Sequence, residues 1–165
     1  MATVFLGLGS NVQPHQNLRL AISELQRRYG PLEISCVYEN AAVGFEGSDF
    51  LNLVVRLNTE ESPPDMHAHI ESIHDMAGRK RGNAKFISRP LDIDLLLYDD
   101  LVVDEPPITL PRGDVLEYSF VLRPLQELAP DLVHPVTGLT MTEHWQQFDQ
   151  RNHPLLLSDL VLTSR

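Results

Sequence analysis

Hydrophobic residues in the first part of the chain alternate between strand-like and helix-like spacing. Residues 3–8 are apolar or β-branched, which predicts a strand, and we interpret residues 9–11 as a tight turn that ends it. Apolar residues then recur every three or four positions over residues 15–29, which predicts a helix. Residues 32–38 and 50–57 favour extended structure on either side of a glycine-containing loop. We expect these two segments to form a long hairpin.

The same alternation continues in the middle of the chain. Pro63 and Pro64 open an amphipathic segment that Gly78 ends, as expected for a helix with proline in its first turn. Beyond a basic stretch, residues 91–98 alternate in the manner of a fourth strand. The order βαββαβ is typical of an α+β, ferredoxin-like domain, in which an antiparallel sheet carries its helices on one face.

The C-terminal part of the chain gives weaker signals. A proline-rich stretch at residues 106–111 predicts irregular structure, and residues 120–128 and 142–148 predict two short helices. The tail, residues 151–165, is too apolar to be free, so we expect it to pack on its own domain or on another copy. Because no shift in composition marks a boundary, we predict a single domain over residues 1–165.

The composition narrows the possible classes of function. The net charge of -10 at pH 7 argues against non-specific binding to nucleic acid or to an acidic membrane surface. No apolar run has the length of a membrane helix, and the N-terminus lacks the features of a signal peptide, so we expect a cytoplasmic protein. The single cysteine, Cys36, cannot form an internal disulfide, and we interpret it as a core residue.

Positive charge is concentrated in one stretch despite the acidic total. Of the 13 Lys and Arg residues, those at positions 79, 80, 81, 85 and 89 lie in a segment without any acid. A local cationic patch in an acidic protein indicates a small, strongly anionic ligand. A basic loop that only offsets nearby acids remains an alternative.

Asp92 and Asp94 follow this basic stretch. Residues two apart on a strand point to the same side, about 6.6 Å from each other along the backbone, so the two carboxylates could converge on a cation. Mg²⁺ is commonly held by one or two carboxylates together with the phosphates of a nucleotide. Adjacent cations and carboxylates would suit phosphoryl transfer, which depends on positioning and charge neutralisation. A strand whose polar face is simply solvated remains the alternative.

Other candidate residues are less informative by themselves. The chain has neither a P-loop nor a kinase-type glycine-rich loop, so a nucleotide would be bound in another way. His67, His69 and His74 lack the spacing of a zinc-binding helix, and we expect them to be solvated. Phe50 and Phe120 could contact a planar ligand, although each taken alone is typical of a core.

Several short motifs occur in register along the chain. They are Gly-Ser-Asn at 9–11, residues 38–44, Phe50-Leu-Asn52, Gly78-Arg79 with Arg81, Arg89-Pro-Leu-Asp-Ile-Asp94, Phe120-Val-Leu-Arg-Pro-Leu125, Ala129-Pro130 and His134-Pro135. Together these motifs resemble the 6-hydroxymethyl-7,8-dihydropterin pyrophosphokinase family over about residues 3–150.

The resemblance implies an enzyme of folate synthesis that transfers pyrophosphate from ATP to 6-hydroxymethyl-7,8-dihydropterin and releases AMP. It implies that Asp92 and Asp94 hold two Mg²⁺ ions and that Arg79 and Arg89 steady the phosphates, so that these four residues form the catalytic set. Further ATP contacts are implied for a second group of residues, Arg81, Phe86, Thr109 and Arg112.

The resemblance also implies a pterin site. The pterin ring would stack between Phe50 and Phe120, while Asn52 and backbone groups near Val43 contact its polar edge. Asp92 is implied as a further residue that contacts the substrate. A flat heteroaromatic ring gains from two aromatic faces, and an amide can donate and accept hydrogen bonds at once.

The chain departs from the family pattern mainly in the nucleotide part. Arg112 replaces a usual histidine and Tyr118 replaces a usual arginine, and both family residues serve ATP, so we expect weaker or slower use of ATP. Other departures are His74 for a frequent glutamate, Phe86 for a tryptophan, and Ala41 and Ala42 for prolines. Two alternatives remain open: a paralogue acting on a related pterin, and a non-catalytic pterin- or nucleotide-binding module. The sequence is compatible with a monomer or a homodimer.

Overall fold

An antiparallel sheet of six strands organises the computed structural model, which describes residues 1–40, 49–78 and 90–162. The described strands, in chain order, are β1 (Ala2–Ser10), β2 (Glu33–Ile34), β3 (Tyr38–Asn40), β4 (Phe50–Thr59), β5 (Asp92–Tyr98), β6 (Val103–Glu105), β7 (Ile108–Leu110) and β8 (Leu156–Leu157). In the large sheet the order is β5-β1-β4-β3-β8, with β2 also paired to β4, while β6 and β7 form a separate hairpin. All the described strand pairs are antiparallel, which confirms the predicted ferredoxin-like α+β fold.

Five helices accompany the strands in the described ranges. They are α1 (Pro14–Tyr29), α2 (Pro63–Met76), α3 (Asp114–Glu117), α4 (Ser119–Leu128) and α5 (Met141–Gln147). Proline in the first turn begins both α1 and α2, and the hydroxyl of Ser62 accepts a hydrogen bond from the N–H of Asp65 at the start of α2. Gly30, with φ of 82°, ends α1 in the left-handed region that favours glycine.

Helices cover both faces of the large sheet. α1 and α2 pack on one face, where Leu18 and Ile70 join Leu6 of β1 in a buried core. α4 and α5 pack on the opposite face, where Leu122 joins Phe5 in a second core. Neighbouring strand residues point to opposite faces, so Phe5 and Leu6 enter different cores. The prediction of helices on one face holds for α1 and α2, and the C-terminal helices add a further layer.

The C-terminal tail packs on its own domain, as one of the two expected arrangements. β8 pairs with β3, and the tail residues Leu160 and Leu162 are buried in the core beneath α1 and α2. The prediction of irregular structure at residues 106–111 was partly wrong, because this stretch contains β7 and the turn that joins it to β6 in a hairpin.

Two further local predictions were wrong. β1 continues through Gly9 and Ser10, so the tight turn expected at residues 9–11 begins later, because pairing with β4 extends to Ser10. Cys36 is exposed rather than buried. Its neighbours Ser35 and Val37 are buried in the irregular segment between β2 and β3, which leaves the side chain of residue 36 on the outside.

Candidate functional site

Two glycines in β1 leave space on the face of the sheet that α4 covers. Gly9 is paired with Asn52 on β4 and with Asp92 on β5, while Gly7 is paired with Asp94. Directly paired residues of antiparallel strands share a face, so Asn52 and Asp92 flank Gly9 on one surface. A cavity of about 210 Å³ lies here. The absence of side chains at both glycines opens the centre of the sheet to a ligand.

The cavity brings together the described residues that the resemblance assigned to the pterin. Phe50 and Asn52 come from β4, Asp92 from β5, and Phe120 from α4. The complete described lining is Gly7, Leu8, Gly9, Asn40, Phe50, Asn52, Leu53, Asp92, Asp94, Leu96, Asp114, Tyr118, Phe120 and Val121. Aromatic and aliphatic walls with a few polar groups are typical of small-molecule sites.

The side-chain amide of Asn52 is held in place inside this cavity. Asn52 is buried, and its Nδ2 donates a hydrogen bond to Oδ1 of Asn40. Its own Oδ1 lies over Gly9, at a place that leaves no room for a Cβ atom on residue 9. The amide therefore has a fixed direction before any ligand binds. Asn40 was not predicted as a site residue, and its pairing with Phe50 across β3 and β4 is visible only in the fold.

Tyr118 also belongs to the wall of the cavity. Its ring stacks on that of Phe120, with centroids 4.9 Å apart and planes inclined by 17°. Burial raises the pKa of the Tyr118 hydroxyl, and the carboxylates of Glu117 and Asp114 raise it further, so the hydroxyl stays neutral at physiological pH. Sequence reasoning treated Tyr118 only as a lost cation. Its stacking role could be suspected from two aromatic residues spaced two apart, but that signal is weak.

Asp92 and Asp94 are the two carboxylates that the resemblance implies as magnesium ligands. Both line the cavity, in accordance with the predicted spacing on one strand face. Within residues 1–40, 49–78 and 90–162, no group of three or more His, Cys, Asp or Glu side chains could enclose a metal ion. Two carboxylates without further protein ligands match Mg²⁺, which keeps waters and shares phosphate oxygens of its substrate. The carboxylates of Asp92 and Asp94 therefore fit a magnesium ion.

A polar groove of about 180 Å³ adjoins the cavity at the edge of the sheet. It lies between α2, β5 and the β6–β7 hairpin, and Asp94 borders both spaces. Thr109 and Arg112, two of the residues assigned to ATP by resemblance, line this groove together with His67 and Glu71. The described residues implied for the pterin and those implied for ATP therefore line two different spaces, and Asp94 lies where these spaces meet.

Arg112 is the cationic group at this junction among the described residues. Its Nη2 lies 3.6 Å from Oδ1 of Asp94, and its Nε lies 3.3 Å from Oδ2 of Asp114. Burial acts to lower the pKa of the guanidinium, but Asp94, Asp114 and Asp92 together raise it, so Arg112 stays charged. The backbone N–H of Arg112 donates a hydrogen bond to the carbonyl of Leu96, which holds this residue beside β5.

His74 contradicts the expectation of solvated histidines. Its side chain is buried, and its Nε2 accepts a hydrogen bond from the N–H of Ile93 at 2.8 Å. Apolar residues alone define the predicted buried face of α2, and His74, which follows the buried Ile73, is buried with them. His67 and His69 are partly exposed.

Five of the residues implied by the resemblance lie outside the part of the chain that the structure describes. They are Val43, Arg79, Arg81, Phe86 and Arg89. Their assignments therefore remain predictions.

The architecture defines a ferredoxin-like domain with an aromatic cavity and a polar groove that meet at paired carboxylates. Residues 5–130 match the family described as 7,8-dihydro-6-hydroxymethylpterin-pyrophosphokinase, and the chain belongs to this family. No helix in the described ranges combines the length and the hydropathy of a membrane span.

Similar proteins include two bacterial enzymes named 2-amino-4-hydroxy-6-hydroxymethyldihydropteridine pyrophosphokinase. The protein from Aquifex aeolicus is 38% identical over 138 residues, which cover 82% of this chain and 86% of that protein. The protein from Porphyromonas gingivalis is 39% identical over 141 residues, which cover 82% of this chain and 95% of that protein.

The fold is also similar to that of solved structures. Plasmodium falciparum HPPK-DHPS with pterin and p-hydroxybenzoate aligns with a TM-score of 0.75 at 15% identity, over 91% of this chain and 43% of that chain. At this identity the likeness shows the fold alone. The chain spans less than half the length of that solved protein.

Proposed function

We propose that this protein transfers the pyrophosphate group of ATP to 6-hydroxymethyl-7,8-dihydropterin, producing the pterin diphosphate and AMP for folate synthesis. The observation that carries the proposal is the junction at Asp94, where the aromatic cavity and the polar groove meet. Two substrates bound in these adjoining spaces would meet at the carboxylates. Membership of the pyrophosphokinase family supports the same reaction.

The pterin occupies the cavity in this proposal. Phe120, backed by the ring of Tyr118, offers one aromatic face, and Phe50 from β4 offers the other. Such contacts contribute about 0.5–1.5 kcal/mol each beyond the burial of area. The fixed amide of Asn52 recognises the polar edge of the ring, because it presents a donor and an acceptor in one plane. Backbone groups near Val43 would contact the rest of the polar edge of the pterin.

ATP occupies the groove, with its phosphates directed towards Asp94. Thr109 and Arg112 contact the nucleotide from the β7 side. Asp92 and Asp94 would hold Mg²⁺, and we propose two ions, as the resemblance implies. Magnesium bound there would neutralise phosphate charge and polarise the phosphorus towards attack. Arg79, Arg89, Arg81 and Phe86 would complete the nucleotide site.

The protein's own residues orient the attack. Stacking would fix the plane of the pterin, and Asn52 would fix its rotation within that plane. We place the hydroxymethyl group towards Asp92, which lines the same cavity. The carboxylate of Asp92 would accept a hydrogen bond from the pterin hydroxyl, and the hydroxyl would give up its proton to solvent as its oxygen bonds to the β-phosphorus. The bond from the β-phosphorus to the α–β bridging oxygen would break, that oxygen would stay on AMP, and AMP would leave through the groove.

The decisive experiment measures AMP release from MgATP with and without 6-hydroxymethyl-7,8-dihydropterin. AMP formed in stoichiometric amounts with pterin diphosphate supports the proposal. A pterin that carries methyl in place of hydroxymethyl serves as the control, because it can fill the cavity but offers no nucleophile. AMP released equally with this analogue would indicate ATP hydrolysis and contradict the transfer.

The same experiment addresses the alternatives. Faster turnover on a differently substituted hydroxymethyl pterin would favour a paralogue of the pyrophosphokinase. Pterin binding without AMP would favour a binding module that has lost catalysis. We further propose a cytoplasmic protein that functions as a monomer or homodimer.

A further inference from the structure

His74 contacts the backbone of β5 between the two aspartates. With 3% of its side chain exposed, His74 projects from α2, and its Nε2 accepts the N–H of Ile93 at 2.8 Å. Ile93 is the residue between Asp92 and Asp94. The hydrogen bond therefore acts at the midpoint of the segment from which both carboxylates project.

The N–H of Ile93 needs this partner because of its position in the sheet. β5 is the outermost strand on its side of the described sheet, and Ile93 is 3% exposed. A buried N–H without an acceptor destabilises the folded protein, because it has lost its hydrogen bond to water. His74 supplies the acceptor that a further strand would otherwise provide.

The ring of His74 is itself held from a second side. Because Nε2 accepts a hydrogen bond, the ring proton lies on Nδ1, which faces Oε1 of Glu71 at 3.2 Å. Glu71 is one turn earlier on α2, and Ile70 and Ile73 anchor this helix in the core. The position of α2 therefore fixes the ring of His74, and this ring in turn fixes the backbone N–H of Ile93.

We propose that His74 is a positioning residue that sets the direction of Asp92 and Asp94 by fixing the backbone of Ile93. This inference rests on the proposed function, in which both carboxylates hold the nucleotide's magnesium. A carboxylate or a side-chain amide at this position could also accept a hydrogen bond from the backbone N–H. The feature required at position 74 is therefore a hydrogen-bond acceptor.

The test compares three variants at position 74 with a control. His74→Leu removes the acceptor at similar volume, while His74→Gln and His74→Glu keep one. Ile73→Val serves as the control, because it weakens the core packing of the same helix but leaves the hydrogen-bond acceptor at position 74 in place. Two quantities are measured: amide exchange of Ile93 by NMR in the ligand-free protein, and the Mg²⁺ concentration that gives half-maximal AMP formation.

The leucine variant should exchange the Ile93 amide about tenfold faster and need about tenfold more Mg²⁺, which corresponds to roughly 1.4 kcal/mol. The glutamate and glutamine variants and Ile73→Val should stay within about twofold of wild type. An unchanged Mg²⁺ requirement in the leucine variant, or an equal rise in Ile73→Val, would overturn the proposal. If the leucine variant does not fold, a raised Mg²⁺ requirement in both acceptor variants with a protected Ile93 amide would also overturn it.

Failure of the proposed function can be told apart from failure of this inference. If the wild-type protein forms no AMP, the transfer proposal fails. Binding of Mn²⁺ alone, followed by water-proton relaxation, then replaces the activity measurement. Weaker Mn²⁺ binding in the leucine variant only would support the positioning role, and equal binding in all variants would contradict it.

Discussion

Gly9 and Asn52 face each other across β1 and β4 so closely that a Cβ atom on residue 9 would lie 2.6 Å from the amide Oδ1. This distance is well inside van der Waals contact. The buried amide is also bonded to Asn40, so it cannot move aside without breaking that hydrogen bond. The shape of the cavity therefore depends on the absence of a side chain at residue 9.

Gly9→Ala should raise the KM for the pterin by about tenfold or more, because a shift of Asn52 leaves a buried polar group badly paired at a cost of roughly 1–3 kcal/mol. The KM for MgATP should change far less. Gly113→Ala is the matched control, since a Cβ there meets no atom within 4 Å. Steady-state kinetics with each substrate varied in turn checks this, and an equal effect of both alanines would contradict it.

Arg112 is expected to serve ATP rather than the pterin. Its guanidinium remains charged beside Asp94 and faces the groove. Arg112→Ala should raise the KM for MgATP by about tenfold or more, as expected for loss of a charged hydrogen bond of roughly 1.5–3 kcal/mol, with little change for the pterin. Arg27→Ala, at a residue whose side chain is 71% exposed on α1, is the control.

A second variant tests whether position 112 needs a permanent charge. Arg112→His restores the residue usual in the family pattern and can still donate to phosphate. It should recover most of the affinity for ATP at low pH, where histidine is protonated, and less at high pH. A pH-independent loss in this variant would show that the forked guanidinium itself is required.

Replacement of either aspartate should remove magnesium-dependent activity without unfolding the protein. Asp92→Asn and Asp94→Asn keep the size of the side chain but remove the charge that attracts Mg²⁺, so we expect kcat to fall by about a hundredfold or more. Asp131→Asn, at an exposed turn residue, should have no effect. Circular dichroism checks the fold of each variant.

Removal of the metal provides an independent check on the same carboxylates. A chelator should abolish AMP formation by the wild-type protein, and excess Mg²⁺ should restore it. Full activity of both asparagine variants at ordinary Mg²⁺ concentrations would exclude these carboxylates as ligands.

The sequence predicted the fold well because its periodicities are strong. Alternation over β5 and the repeat over α1 are both clear, and their order selects a ferredoxin-like sheet. The spacing of Asp92 and Asp94 also predicted a shared face correctly, since strand geometry fixes it locally.

Other features depend on contacts between distant segments, which a single sequence does not encode locally. The acceptor role of His74 depends on α2 lying against the edge of β5, and the stack of Tyr118 on Phe120 depends on the turn between α3 and α4. Cys36 was assigned to the core from its residue type, but its neighbours take the buried positions. Residue type and period alone could not decide these cases.

A buried histidine should make the fold less stable in mild acid. Burial lowers the pKa of His134, and the nearby His144 lowers it further, while Nδ1 accepts the N–H groups of Val136 and Thr137. The unfolded chain therefore binds this proton more readily than the folded chain. The contribution of neutral His134 to the free energy of unfolding is fully present above the ordinary histidine pKa of about 6.5. It declines as the pH falls from there towards the lowered pKa of His134 in the folded protein.

His134→Asn keeps an acceptor near the position of Nδ1 but does not titrate. The fall in Tm between about pH 7.5 and 5.5 should therefore be smaller in this variant than in the wild type, by an amount that reflects about 1.4 kcal/mol per unit of pKa difference. His153→Asn, at an exposed residue, is the control. Calorimetry across this range checks the prediction, and parallel curves for wild type and His134→Asn would contradict it.

We expect the ring of Tyr118 to lower the KM for the pterin. We expect the absence of a positive charge at this position to raise the KM for MgATP. Its ring supports Phe120 at a centroid distance of 4.9 Å. Tyr118→Ala should raise the KM for the pterin by about three- to tenfold, as expected for an aromatic pair of roughly 0.5–1.5 kcal/mol, and Tyr118→Phe should not. Phe148→Ala removes a comparable stack with Trp145 away from the cavity and should leave both KM values unchanged.

Tyr118→Arg separates the two roles of the position. It restores the cation that the family pattern usually has there, so the KM for MgATP should fall, and it removes the stack on Phe120, so the KM for the pterin should rise. Opposite movements of the two constants in one variant cannot come from a general loss of folding. If both KM values rise, a cation at position 118 cannot reach the nucleotide. Among the described cations of this site, Arg112 alone would then contact ATP.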